Sequence, residues 1–324
     1  MSEFGFKSTA DDVLADKDLS GKTAFITGGY SGLGQETARA MAAKGAHVII
    51  AGRDMEKANA AAEEIRGQVE GAQVDTIQCD LASLDSVRAC GAEARERFDS
   101  IDLLINNAGV MACPQNETAD GFEMQFGTNH LGHFLLTKEL MPLVEKGAGE
   151  GDGARIVNLS SRGHHIDDVH LDDPNFENRE YQKWASYGQS KTANILFSVG
   201  LENRFGHKGI TSIAVHPGGI QTNLGRHMTD EDRVWMRKRM KADSDEEMAK
   251  AFKSIPQGAA TTCYAATEQS LQGHGGVYCE DCHVAEVDDE SSDGGVRSYA
   301  VDPARADALW ALSEKMVGES FDNP

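Results

Sequence analysis

Short, uninterrupted apolar runs alternate with segments of helical period along most of the chain. The runs are Thr23–Gly29, His47–Arg53, Val74–Asp80, Ile101–Ala108, Arg155–Ser161, Thr211–Gly218 and Gly275–Asp281. Between them, Gly32–Ala43, Met55–Arg66, Ser83–Phe98, Gly121–Leu143 and Trp184–Phe205 read as helices. Apolar runs of strand length without polar alternation suit strands buried on both faces, so helices must cover a parallel sheet from both sides. Right-handed crossovers then predict an α/β fold: one doubly wound, Rossmann-type, mostly parallel sheet of seven strands. No linker interrupts the alternation. Residues 21–324 are therefore expected to form one domain behind a polar N-terminal arm, residues 1–20. Residues 164–183 and 225–254 break the rhythm and read as substrate-loop insertions, because long loops in compact domains are commonly functional. The acid-rich stretch Asp281–Asp293 reads as a solvated loop.

Charge and composition narrow the function. Asp and Glu number 52 against 31 Lys and Arg, a formal net charge of −21. That balance opposes binding to a nucleic-acid backbone and to anionic lipid, both of which call for a basic surface. No window approaches the ~18–20 apolar residues of a membrane span. The opening residues lack the apolar core of a secretory signal, so a cytoplasmic location is expected, with the six cysteines as reduced thiols.

The chemistry begins at Thr27-Gly28-Gly29-Tyr30-Ser31-Gly32-Leu33-Gly34, between the first strand and the first long helix. Glycines there allow a sharp turn and a close backbone approach to a pyrophosphate, which the helix N-terminus then attracts. The spacing G-x-x-x-G-x-G resembles the short-chain dehydrogenase/reductase family. Asn106-Asn107-Ala108-Gly109, Asn158-Leu159-Ser160-Ser161, Tyr187-Gly188-Gln189-Ser190-Lys191 and Pro217-Gly218 follow in that family's order. The runs Asn129–Phe134, Val110–Pro114 and Lys191–Phe197 are similar to a subset that includes retinol dehydrogenase-like and WW-domain-oxidoreductase-like enzymes. The opening Lys7-Ser8-Thr9-Ala10 resembles a plant chloroplast-envelope member of the same group.

The resemblance implies an oxidoreductase that passes a hydride between nicotinamide and an alcohol or carbonyl. It implies cofactor contacts from Gly28, Tyr30, Ser31, Gly32, Leu33 and Gly34, from Asp80 and Leu81 beside adenine, and from Asn107, Ala108 and Gly109. Pro217, Gly218, Ile220 and Thr222 would flank the nicotinamide, and Lys191 would hold its ribose beside Tyr187. At the end of the second strand, Gly52 stands where NAD-preferring members carry an acid, and Arg53 follows. An arginine accommodates a ribose 2′-phosphate, so NADP(H) is favoured and NAD(H) stays open. Asp54 argues the other way.

A carbonyl reduction needs a proton donor beside the oxygen. Free tyrosine, with a pKa of ~10, is too weak an acid for this at neutral pH. Lys191, one helical turn from Tyr187, is expected to lower that value. A hydroxyl must polarise the same oxygen. Ser160 and Ser161 both qualify by position, and alignment with the family favours Ser161. Asn129 matches the asparagine that positions a relay water with Lys191. The substrate is expected to be a lipophilic or aromatic alcohol or ketone, with Met228, Trp235, Met236 and Met240 either lining its pocket or forming a packed helix face. The alternative is an NADP(H)-binding, redox-sensing interaction protein with little turnover. By resemblance a homo-oligomer, dimer or tetramer, is open. No metal site is expected: His130, His133, His164 and His165 read as surface or packed residues. Cys279-x-x-Cys282-His283 fits haem attachment only by spacing, and Cys113 lacks a paired base.

Overall fold

The computed structural model describes residues 4–149 and 151–321. The strands are β1 (Thr23–Thr27), β2 (His47–Gly52), β3 (Val74–Gln78), β4 (Leu103–Asn106), β5 (Ala154–Leu159), β6 (Ile210–His216), β7 (Val277–Glu280) and β8 (His283–Val284). They form one sheet in the order β3-β2-β1-β4-β5-β6-β7-β8. Seven strands are parallel, as the apolar runs predicted, and β8 adds an antiparallel eighth through a tight hairpin. The count of seven is corrected to eight. A two-residue strand is too short to show any alternation in sequence.

The helices are α1 (Ala10–Val13), α2 (Gly32–Ala42), α3 (Met55–Gln68), α4 (Leu84–Arg97), α5 (Met124–Phe126), α6 (Gly132–Gly149), α7 (Lys183–Phe205), α8 (Asp230–Arg239), α9 (Asp245–Lys250), α10 (Ile255–Thr267) and α11 (Pro303–Val317). Side chains alternate across each strand and so feed two cores. Phe25, Ile49, Leu104 and Ile156 point to one face, against Phe134, Phe197 and Trp310 of α6, α7 and α11. Ala24, Ile26, Val48, Ile50 and Val157 point to the other, against Met41, Ala58 and Ala259 of α2, α3 and α10. Full burial of one such large side chain contributes about 1.5–3 kcal/mol.

The N-terminal segment takes part in the second core. Thr9 and Asp12 form a reciprocal capping box at α1, and Ala10, Val13 and Leu14 are buried with α2 and α10. The helix expected over Gly121–Leu143 is interrupted. Residues Gly127–Leu131 form a π-turn between α5 and α6, a distortion that recurs at functional sites. Among the described residues no helix is long and apolar enough to cross a membrane.

Candidate active site

The sheet order reverses at β1, whose neighbours are β2 and β4. In open α/β sheets ligands bind outside the strand ends at such a switch point. Here the chain turns from β1 through Gly28, Tyr30 and Ser31 into α2, which begins with Gly32, Leu33 and Gly34. A Cβ on Gly34 would lie 2.4 Å from the Gly28 carbonyl oxygen and 2.5 Å from Asn107 Nδ2, so only glycine fits. The loop after β4 is stitched to this turn. Asn107 N and Ala108 N donate to Thr27 Oγ1 at 2.9 and 3.0 Å, and Asn107 Nδ2 donates to the Thr27 carbonyl at 2.7 Å. Ser31 caps α2 without a side-chain hydrogen bond. The first-turn amides thus suit an outside acceptor, and a pyrophosphate meets that requirement.

The side expected to receive adenosine is equally defined. The Tyr30 ring fills the space beside Gly52, where a Cβ would lie 2.3 Å from Tyr30 Cε1. Arg53 is exposed and, among the described residues, has no hydrogen-bond or ion-pair partner. Asp54 is turned into the start of α3. It accepts from Lys57 N at 3.2 Å and pairs with Lys57 Nζ at 2.7 Å, and the bond to Lys57 holds its carboxyl below the usual range. Its charge is therefore already partnered, while that of Arg53 is free. At the end of β3, Asp80 Oδ1 accepts from Ala82 N at 3.0 Å and turns the chain, and Leu81 is buried against the first residue of α6.

Helix α7 brings the reactive groups together behind β5. Tyr187 is 5% exposed, and a Cβ on Gly163 would meet both its ring and the Ser161 hydroxyl, at 2.7 and 3.3 Å, so the two side chains share one corner of the site. Ser161 Oγ accepts from Gly163 N at 2.9 Å, which leaves its own proton free to donate. Ser160 points elsewhere: its hydroxyl donates to the Lys191 carbonyl at 2.8 Å inside the core. Strand geometry thus separates the two serines, which position in the chain left equivalent and the family resemblance resolved in favour of Ser161. Lys191 Nζ donates to the Leu159 carbonyl at 3.0 Å and lies 5.6 Å from the Tyr187 ring centroid. Asn129 sits in the π-turn. It brackets Val110, accepting from the amide at 2.8 Å and donating to the carbonyl at 2.9 Å, and also donates to Ser190 Oγ at 3.0 Å. Gly109 lies against both groups: a Cβ there would be 3.1 Å from Asn129 Oδ1 and 3.6 Å from Lys191 Nζ.

Burial dominates the protonation of this cluster. It pushes Tyr187 up to about 12, with only the neighbouring Ser161 hydroxyl opposing, and lowers Lys191 to about 8. The expected lowering of Tyr187 by Lys191 is not found in this structure. Desolvation disfavours the charged form of both groups, so the ammonium that would favour tyrosinate is itself weakened.

Two histidines that sequence reasoning set aside support the site. His133 Nδ1 donates to the Asn129 carbonyl at 2.9 Å, so its Nε2 accepts from Thr27 Oγ1 at 2.9 Å. Burial lowers its pKa to about 4, so it is neutral, as this bonding requires. His164 Nδ1 likewise donates to the Ser161 carbonyl at 2.8 Å, while its Nε2 accepts from Arg297 N at 3.2 Å. The i, i+4 spacing of Asn129 and His133 was the available signal. Nothing in the sequence pointed from His164 to Arg297.

The loop after β6 closes the other side. Pro217 and Gly218 lead into Ile220 and Thr222. Ile220 and Leu33 meet at Gly258, and a Cβ on Gly32 would lie 3.4 Å from Thr222 Cγ2. Beyond it, α8 docks on the start of α7. Asp232, buried, accepts from Lys183 Nζ at 2.6 Å and Trp184 Nε1 at 3.0 Å. Trp235 stacks on Trp184 at 4.7 Å, and Trp184 meets the Tyr187 ring edge-on at 6.3 Å. Asp232 also caps α8 through Thr229. Asp232→Ala is expected to cost about 1 kcal/mol or more of local stability. Limited proteolysis should then cut residues 223–254 faster, with a higher KM for substrate and little change in cofactor Kd. Unchanged cleavage would show that Asp232 does not hold α8 in place.

This constellation is that of an NAD(P)-dependent oxidoreductase. A family model described as short chain dehydrogenase matches residues 22–233, and the chain belongs to that family, within its retinol dehydrogenase-like subset. It is 41% identical over 318 residues to the short-chain dehydrogenase/reductase prx1 of Penicillium rubens, covering 96% of this chain and 90% of that one. It is 39% identical over 304 residues to human retinol dehydrogenase 13, covering 93% and 86%. A solved structure of a putative uncharacterized protein from Mycobacterium paratuberculosis superposes with a TM-score of 0.71 at 34% identity, covering 98% of this chain and 99% of that one.

Proposed function

We propose that the chain is an NADP(H)-preferring alcohol dehydrogenase/carbonyl reductase acting on a lipophilic or aromatic alcohol or ketone. The observation that carries this reading is the convergence of the Tyr187 and Ser161 hydroxyls, with Lys191 beside them, at the open end of the glycine cradle. The cofactor, when bound, supplies or accepts the hydride. The chain's own residues do the rest. Ser161 directs its free proton at the substrate oxygen and orients it. Tyr187 gives that oxygen a proton in reduction and takes one in oxidation. Lys191 favours the tyrosinate that forms, and Asn129 fixes the backbone at Gly109 and Val110 beside it. The cradle residues Gly28 to Gly34, with Asn107 and Ala108, would hold the pyrophosphate half. Asp80 and Leu81 would flank adenine, and Pro217, Gly218, Ile220 and Thr222 the nicotinamide. Arg53, unpaired while Asp54 is tied to Lys57, supports the preference for a 2′-phosphate. The stacked Trp184 and Trp235 next to Tyr187 support an apolar substrate.

Titrating the protein with NADPH and NADH, followed by nicotinamide fluorescence, tests the first half. Tight NADPH and weak NADH binding is expected, and binding of neither would overturn the enzyme reading. A panel of aromatic and aliphatic ketones against sugars tests the second half, and turnover of sugars alone would contradict it.

The protonation states add a pH dependence. Lys191, at about 8 in the fold, carries its charge below that pH and loses it above. Because kcat/KM reports the free enzyme, kcat/KM for NADPH is expected to fall as pH rises through about 8. A profile that stays flat to the ordinary lysine value of 10.5 would show that burial does not depress Lys191.

A further inference from the structure

The loop that would flank the nicotinamide rests on a lysine that no cofactor motif includes. Lys253 lies just before α10, and its side chain is 1% exposed. Its stem packs on Gly218, whose φ is +102° and whose Cβ, if present, would lie 2.7 Å from Lys253 Cδ. Its backbone N donates to the Gly219 carbonyl at 2.8 Å, making a short parallel bridge between Ile220 and Lys253. The ammonium then reaches past the loop to Asp281 Oδ1 at 2.5 Å, and the Phe6 ring covers it at 4.9 Å.

Asp281 is held out to meet it by an unusual turn. Asp281 and Cys282 form the two-residue hairpin between β7 and β8, and both have positive φ, +46° and +59°. That is the geometry of a type I′ turn, which glycine or asparagine ordinarily fills. A cysteine there is strained, and such strain persists only where surrounding contacts over-determine it. The turn is pinned to α10, since Cys282 N donates to Thr261 Oγ1 at 3.3 Å. The hairpin is thus joined to α10 by the Cys282–Thr261 bond and to the loop after β6 by an ion pair that is buried at Lys253 and partly exposed at Asp281.

We infer that Lys253 and Asp281 are positioning residues: their ion pair holds the Pro217–Thr222 loop in the shape that receives the nicotinamide half of the cofactor. This rests on the cofactor reading above. Neither residue touches the glycine cradle, the Tyr30–Gly52 contact or Arg53, so the adenosine half should not depend on them. Only the far end of the dinucleotide should feel their loss.

The test uses the full chain and two probes, NADPH and adenosine 2′,5′-bisphosphate, which keeps the 2′-phosphate and lacks nicotinamide. Lys253→Met retains the stem on Gly218 and removes the charge. Asp281→Asn retains a residue suited to positive φ and removes the partner charge. Each is expected to raise the NADPH Kd about tenfold or more while the bisphosphate Kd stays within about twofold, because losing Asp281 leaves the buried Lys253 ammonium unpaired, losing the ammonium frees the hairpin, and either change is felt at the loop that Lys253 packs against. The double variant should be no weaker than the worse single one, as for two groups in one interaction. Melting curves identify any variant that fails to fold, and Asp281→Asn, with its turn intact, then carries the test. Equal loss for both probes, or no change in NADPH binding, overturns the positioning role alone. A wild-type protein that binds neither probe overturns the cofactor reading, and this inference with it.

Discussion

Tyr187→Phe is expected to lower kcat by about 10²–10⁴-fold, the range over which a positioned acid–base group contributes. The ring stays, so the packing of Gly163 and Trp184 against it stays as well. What disappears is the hydroxyl on the side of the ring that neighbours Ser161, and with it the proton expected to pass to the substrate oxygen. Burial already pushes this phenol to about 12, so in the free enzyme it is protonated, and giving up its proton depends on the Lys191 ammonium and the Ser161 hydroxyl to stabilise the tyrosinate left behind. Reduction should therefore weaken as Lys191 loses its charge, whereas oxidation needs tyrosinate and should rise with pH. The NADPH Kd should change by no more than about tenfold, since one neutral hydrogen bond is worth about 0.5–1.5 kcal/mol. Steady-state kinetics with nicotinamide fluorescence separates the two quantities. Retained turnover would remove Tyr187 from the mechanism.

The second large effect is expected at the adenosine end. Arg53→Ala should raise the NADPH Kd by roughly ten- to a hundredfold, the ~1.5–3 kcal/mol of a charge-assisted contact to phosphate, and leave NADH almost unchanged. Gly52→Asp should add to this in the opposite sense. Its Cβ cannot coexist with the present position of Tyr30, so the ring must swing away, and a carboxylate then stands where a ribose 2′-hydroxyl would bind. The double variant is expected to favour NADH. Equal losses for both cofactors on Arg53→Ala would show that the guanidinium serves binding in general and does not choose between them.

Most of the doubly wound architecture could be read from the chain because its determinants are local. Val48, Ile49 and Ile50 must be buried on both sheet faces whatever surrounds them, and the glycine loop needs small residues at set spacing. Gly34 shows this plainly, since the Gly28 carbonyl occupies the space a side chain would take. Tyr187 and Lys191 share a helix face by spacing alone. Other features were not local. The π-turn at Asn129 breaks a helix whose apolar period runs on without interruption, because Asn129 is held to Val110 and Ser190 from outside. Helices α10 and α11 complete the two cores, yet their alanine-rich sequences carried too little contrast between faces to be assigned.

The sequence by itself thus determined the seven parallel strands, the main helices between them, the tight glycine turn after β1 and the family, since each depends on residues near one another in the chain. Only the tertiary structure decided that Ser160 turns into the core to the Lys191 carbonyl, that Asp54 is tied to Lys57 while Arg53 has no partner among the described residues, and that Lys253 meets Asp281 beneath the loop after β6. It also decided that Tyr187 is raised where a neighbouring lysine had suggested lowering. These outcomes depend on burial and on pairings between distant segments, and a side chain's solvation and partners are set by the whole packed molecule.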